Sequence, residues 1–238
     1  MHEYYAKNQT RYKKEMDGYL QTISPELEGE LGKPYSEILE ETWTYYRTKL
    51  LERFPYIGGG TVGGTGNLVG AYHYIALGEV CRKYGMSLER WGYLTTVSYQ
   101  RYYAKMPGLK KKIMGKMFTI PAITTKMLKK KDAKNAANAK INPGSFETKT
   151  QEPTAEYPIV YYTTVCPLAM FAEKYGYMEY MPYLCNLDYV MFGAMQVPLY
   201  REKTCAAGDG VCDFKIKPGA PVVPAWPCHA ATAGDPLK

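Results

Sequence analysis

Histidine and phenylalanine are scarce in this chain: three His and six Phe stand among 238 residues. His2 and His229 lie near the ends, so imidazole chemistry falls by default to His73, flanked by Tyr72 and Tyr74 on a helical segment. No apolar run approaches the roughly 20 residues that span a bilayer. The opening MHEYYAKNQTRYKKEMDGYL lacks the apolar stretch of a signal peptide, so a cytoplasmic protein is expected. In that reducing setting the six cysteines are thiols or ligands rather than structural disulfides. No CxxC knuckle occurs, which weighs against a structural zinc module. Gly58-x-Gly60-x-x-Gly63 spells the dinucleotide fingerprint, yet no strand precedes it and no Lys-Ser or Lys-Thr of a P-loop follows. No internal repeat is detectable.

What is present describes a chain long enough to bury a substantial core. The 24 tyrosines either line a polar cavity or cover amphipathic surfaces. Residues 1–34 read as a charged, helical docking arm. From Pro34, the residues Leu39, Trp43, Tyr46, Leu50 and Phe54 form an apolar helical stripe that stops before Pro55. After the glycine-rich loop 58–66, Asn67 is placed to cap a helix that ends near Gly85, and Ser87 to cap the next, which reaches about Tyr103. A Lys-rich helical stretch broken by Pro121 leads into a polar linker, 135–153, and a strand, 156–165. The fold expected is α+β: a helical N-terminal part packed on a small antiparallel sheet with helices in the C-terminal part. Its domain is 35–217, helical over 35–134 and α+β over 154–217, followed by a Pro-rich tail, 218–238.

Four cysteines frame the last third. Cys166 precedes Pro167 at a strand-to-helix junction, where a helix N-terminus would acidify its thiol. Cys185 and Asp188 lie three apart in a segment whose apolar residues recur at helical intervals, so they share a face, with Pro182 suited to the first turn. The stretches 196–205 and 211–217 read as strands joined through Gly208-Asp209-Gly210, bringing Cys205 and Cys212 together at the mouth of a hairpin.

On Cys166-Pro167, Pro182-x-x-Cys185-x-x-Asp188 and Cys205-x-x-Gly208-x-x-x-Cys212-x-Phe214 the chain resembles the L-2-amino-thiazoline-4-carboxylate hydrolase family. Asn67 and Gly85-Met86-Ser87 extend the likeness to roughly residues 35–217. Small ligand-binding domains related to vinyl reductases carry a similar C-x-x-G-x-x-x-C-x-F ending. The resemblance implies an enzyme that opens a five-membered cyclic isothiourea.

Two functions follow. The first is a hydrolase that opens a cyclic amidine or isothiourea-like ring through a cysteine nucleophile, Cys185 before Cys166, with Asp188 holding the adjacent cationic nitrogen and His73 as the acid/base candidate. Gly66, Asn67 and Tyr72 are the expected substrate-binding group, where loop amides and a helix N-terminus receive a substrate carboxylate, and Cys205 and Cys212 support the site as a pair. No cofactor is called for. The second reading is a zinc-supported binding or sensor module on Cys166, Cys185, Cys205 and Cys212. Cys81 reads as a buried hydrophobe, and Cys228 beside His229 as a thiol of low functional weight. Residues 105–140 carry 11 Lys and one Asp, a local +10 that leaves −3 for the rest of the chain. The block has few aromatics for base stacking, so no nucleic-acid partner is assigned, and it reads as a solvated or partner-binding face. A small molecule is the expected partner, no transmembrane segment is expected, and the extended tail leaves a homo-oligomer open.

Overall fold

The computed structural model describes residues 1–61 and 64–228 and divides into two compact units, Met1–Tyr102 and Tyr103–Lys238. Each is described by itself. The chain is α+β, predominantly helical with one four-stranded antiparallel sheet.

The first unit is helical. It contains α1 (Glu3–Lys7), α2 (Gln9–Leu20), α3 (Ser24–Leu31), α4 (Tyr35–Tyr45), α5 (Gly64–Lys83) and most of α6 (Leu88–Ala104). Residues 1–34 are not an arm: Tyr5, Tyr12, Met16, Leu20 and Leu27 are fully buried, and the Tyr5 hydroxyl donates to Pro55 O at 2.7 Å. The aromatic stems supply apolar area while the hydroxyls of Tyr5 and Tyr46 reach backbone acceptors, so tyrosine serves as core here. The stripe from Pro34 forms α4, continues as a π-helical turn over Tyr46–Leu50 and a short 3-10 turn, and stops before Pro55. The next helix has already begun at Gly64, so Asn67 sits inside its first turn instead of capping it. Ser87 does cap α6, its Oγ accepting from Arg90 N–H at 3.1 Å. Gly63 of the glycine fingerprint lies outside the described residues.

The second unit holds α7 (Gly108–Thr119), α8 (Pro121–Ile141), β1 (Glu147–Thr150), β2 (Ile159–Val165), α9 (Pro167–Tyr175), α10 (Met181–Ala194), β3 (Leu199–Tyr200) and β4 (Cys212–Ile216). The sheet order is β1-β2-β4-β3. The expected linker is instead the end of α8 followed by β1. Asp132, the lone acid of the Lys block, ties the two together, its carboxylate accepting from Thr150 N–H and from the Thr148 hydroxyl, each at 2.7 Å. Gly115 lets α7 press onto the end of α10, since a Cβ there would stand 1.9 Å from Met195 O.

The hairpin expected over 196–217 is looser than its glycines suggest. Only Leu199 and Tyr200 pair with β4. Carboxylates replace the ladder beyond them: Asp213 Oδ1 accepts from Glu202 and Lys203 N–H at 2.9 and 2.7 Å, and Asp209 Oδ2 from Thr204 N–H at 2.9 Å. Cys205 therefore opens a 3-10 turn capped by Thr204, and Gly208 and Gly210 take the positive φ values, 84° and 73°, that close it. As far as Cys228, the tail lies on its own unit. Asn186 Nδ2 donates to Ala225 O, and the Cys228 thiol donates to Pro182 O at 3.4 Å. His229 falls outside the described residues. Among the described residues no helix is long and apolar enough to cross a membrane.

Candidate functional site

The site of the second unit starts from strand register. β2 and β4 pair Tyr161 with Phe214 and Thr163 with Cys212, and strand alternation puts all four on one face. The two rings stack with centroids 4.6 Å apart and planes within 8°. β2 ends at Val165, Cys166 is the N-cap of α9, and Pro167 occupies its first turn. The strand-to-helix junction thus sets Cys166 beside the start of β4. The cap of the 3-10 turn brings Cys205 to the same place: its N–H donates to Cys212 Sγ at 3.2 Å and its thiol to Thr163 O at 3.5 Å.

Three thiols therefore meet. Cys212 accepts from the Cys166 thiol and from the Cys205 N–H, with the Cys205 sulfur beside it, and these bonds, aided by the Arg201 charge, hold it well below the ordinary cysteine range. The same bonds push Cys166 and Cys205 up, with burial adding to the effect. A negative charge in this cluster is thus favoured on Cys212 over Cys166 and Cys205. Capping a helix does not by itself acidify Cys166; donation to Cys212 outweighs it.

Cys185 and Asp188 lie one turn apart on α10, which Pro182 opens as expected. Arg201, only 4% exposed, donates to Asp188 Oδ2 at 2.6 Å and to Cys185 O at 3.0 Å, and its guanidinium stands 4.4 Å from the Phe214 ring centroid. Its Nε is buried and has no partner. Burial raises Asp188 above the ordinary carboxylate value despite Arg201, and about a third of its side chain still meets solvent. Burial pushes the Cys185 thiol up to about 12. Lys131 extends from α8 over Tyr161, 5.8 Å from the ring centroid. Lys131 as a residue is exposed, but the protein packed around its ammonium end lowers its pKa, opposed first by Asp188. Cys166, Cys185, Cys205 and Asp188 are half-buried, so these groups line a recess that solvent enters.

Arg201, Lys131 and Tyr161 escaped sequence reasoning. Arg201 follows an apolar stretch directly after Leu199-Tyr200, a weak signal of a cation turned inward. Lys131 is indistinguishable from its ten neighbours in the basic block. Among the described residues no group of three or more His, Cys, Asp and Glu side chains is arranged to hold a metal ion.

His73, Gly66, Asn67 and Tyr72 belong to the first unit, on α5. His73 is fully buried, its ring 4.6 Å from that of Tyr46, and neither ring nitrogen has a partner. Burial lowers its pKa to about 3, which leaves a neutral core side chain with no proton path rather than an acid/base group. Tyr72 is buried edge-on to Phe54, whereas Gly66 and Asn67 are exposed in the first turn of α5. Cys81 is buried, its thiol pushed up to about 12, as its reading as a hydrophobe requires. Two surface grooves of this unit, about 480 and 650 Å³, contain neither cysteine nor histidine.

Residues 101–216, a little under half of the chain, match the family model described as L-2-amino-thiazoline-4-carboxylic acid hydrolase. The match takes in every residue of the recess just described and begins beyond Asn67 and Gly85, so it covers only the later part of the resemblance. No curated protein and no solved structure matches the chain.

Proposed function

On the match of residues 101–216 to the L-2-amino-thiazoline-4-carboxylic acid hydrolase family model, we propose that this chain hydrolyses a small, carboxylate-bearing heterocycle at a carbon flanked by heteroatoms. The observation that carries the reading is the thiol cradle, in which Cys212 accepts from the Cys205 N–H and lies against the Cys166 thiol beside the Arg201–Asp188 pair. A ring carbon bonded to sulfur and two nitrogens is electrophilic once a nitrogen is protonated. Asp188 Oδ1, left free by the single bond to Arg201, takes the N–H groups of that cation. Lys131, which has no ion pair of its own, receives the carboxylate.

Cys166 is the nucleophile in this reading. Its thiol gives its proton to Cys212, moving the charge onto the half-buried sulfur. That sulfur bonds to the ring carbon while the C=N electron pair moves onto nitrogen and neutralises the cation. The tetrahedral adduct then breaks one ring bond, and the departing heteroatom takes the proton held by Cys212. Water adds to the remaining cysteine-bound carbon, and Cys166 leaves and recovers a proton. One water is consumed and one ring bond cleaved, with no cofactor. Cys185, on α10 and, among the described residues, without a hydrogen-bonded thiol to take its proton, serves as wall beside Asp188.

The test is brief exposure to L-2-amino-thiazoline-4-carboxylate, an acid quench and mass spectrometry. A substrate-sized adduct on Cys166 is expected, together with loss of turnover by about a thousandfold or more in Cys166→Ala. In Cys212→Ser, alkylation of Cys166 by iodoacetamide should shift to lower pH, because the neighbouring sulfur that pushes its thiol up is gone, while turnover falls for want of the proton acceptor. Full turnover in Cys166→Ala, or turnover abolished by a chelator and restored by zinc, would overturn the proposal.

A further inference from the structure

α7 and α8 carry their apolar residues on the wrong side for a core. Leu109, Ile113 and Met117 recur every four residues along α7 and are 71%, 53% and 39% exposed. The opposite side of the helix is the packed one, where Gly115 abuts Met195 and Phe118 meets Phe192 edge-on at 5.5 Å. On α8, Ile123 and Met127 are 42% and 43% exposed, while Thr124 and Leu128 face the interior. Lysines border both stripes. Lys110, Lys112 and Lys116 on α7 and Lys126, Lys130 and Lys134 on α8 are exposed, and among the described residues none forms an ion pair.

We propose that this face docks on an anionic lipid bilayer, with the two stripes buried at the headgroup boundary and the lysines paired with lipid phosphates and carboxylates. A helix whose outward face is aliphatic and rimmed by lysine matches a surface that is apolar in its depth and anionic at its rim. Other occupants fit less well. Single-stranded nucleic acid is gripped by aromatic stacking, and Phe118, the aromatic of α7, faces inward. A second copy would bring two faces of the same strong positive charge together. Since no described helix can cross a membrane, the contact is peripheral and lengthwise. The Lys131 ammonium lies over Tyr161 on the inner side of the same helix, so docking would hold the recess next to the bilayer without using its residues.

The experiment is flotation of the full chain with phosphatidylcholine vesicles containing about one-third phosphatidylserine, with pure phosphatidylcholine as control. Binding is expected to the mixed vesicles alone and to weaken as salt rises. Lys110→Glu/Lys112→Glu/Lys116→Glu should weaken it about a hundredfold or more. Leu109→Ser/Ile113→Ser should weaken it about tenfold or more while leaving the circular dichroism spectrum unchanged. These outward side chains support no core, and Leu109→Ala/Ile113→Ala, which keeps helix propensity, provides a second variant if the serines perturb folding. Equal binding to both vesicle types, absence of binding, or binding indifferent to both apolar variants would overturn the proposal. So would tighter binding to RNA than to the vesicles, or a dimer dissociated by the lysine substitutions.

Discussion

His73 in the first unit and Cys212 in the second are both buried titratable groups, and burial drives them to opposite ends of reactivity. His73 has aromatic neighbours and no hydrogen-bond partner, so removal from water is the whole of its environment and keeps it neutral, down to about pH 3. Cys212 is 5% exposed, yet two thiols, a backbone N–H and a nearby guanidinium all favour its charged form. The same loss of solvent that silences an isolated group amplifies a networked one, because the low dielectric strengthens whatever partners are present. Position in a core is therefore no guide to chemistry until the partners are counted.

Substitutions can break this comparison, beginning with the most severe. Asp188→Asn removes the charge that faces the substrate cation and the partner of Arg201. Turnover should fall by about a hundredfold or more in kcat/KM. Stability should drop by about 2–3 kcal/mol in urea unfolding, less than for a fully buried pair because Asp188 keeps solvent contact. In the unaltered chain the raised pKa of Asp188 predicts an acid limb of kcat/KM. The carboxylate is protonated as pH falls through a value above the usual aspartate range, and activity goes with it. An acid limb unchanged in Asp188→Asn would separate it from the chemistry.

Lys131→Met should act more narrowly, raising KM for a carboxylate substrate by about tenfold to a hundredfold with little change in kcat. A decarboxylated substrate analogue should not distinguish the variant from the parent chain. An equal loss for both substrates would move the carboxylate elsewhere.

His73→Leu should cause the least disturbance to function, leaving turnover unchanged, and its effect is on stability. Between pH 6.5 and about 3 the unfolded chain binds a proton at this position that the folded chain excludes. Stability is accordingly present above the unfolded pKa and lost as pH falls, by at most roughly 4–5 kcal/mol. Urea unfolding at pH 5 and pH 7 should show that slope reduced in the leucine variant. A His73→Leu chain with normal stability and no turnover would reinstate the imidazole.

Much of this was legible in the chain because it is local. Pro182 and the helical spacing of Cys185 and Asp188 describe α10, Cys166-Pro167 marks the passage from β2 to α9, and Ser87 caps α6. Each depends on residues within a turn or two of one another, where backbone sterics and hydrogen-bond reach decide the outcome. Where Asp132 and Asp213 reach across to other segments, local reading failed: a linker became α8 and β1, and a hairpin became a loop held by carboxylates.

The sequence by itself determined the family model that residues 101–216 match, the α+β class and the identity of the four framing cysteines. Only the tertiary structure decided which thiols stand together and which of them the surroundings favour as the more acidic. That depends on the register pairing Thr163 with Cys212, on the turn that aims the Cys205 N–H at a sulfur, and on the approach of Arg201 from β3 to Asp188 on α10. Acidity arises from fields over a few ångströms between residues far apart in the chain, such as Cys166 and Cys212, and spacing along a chain carries no record of them.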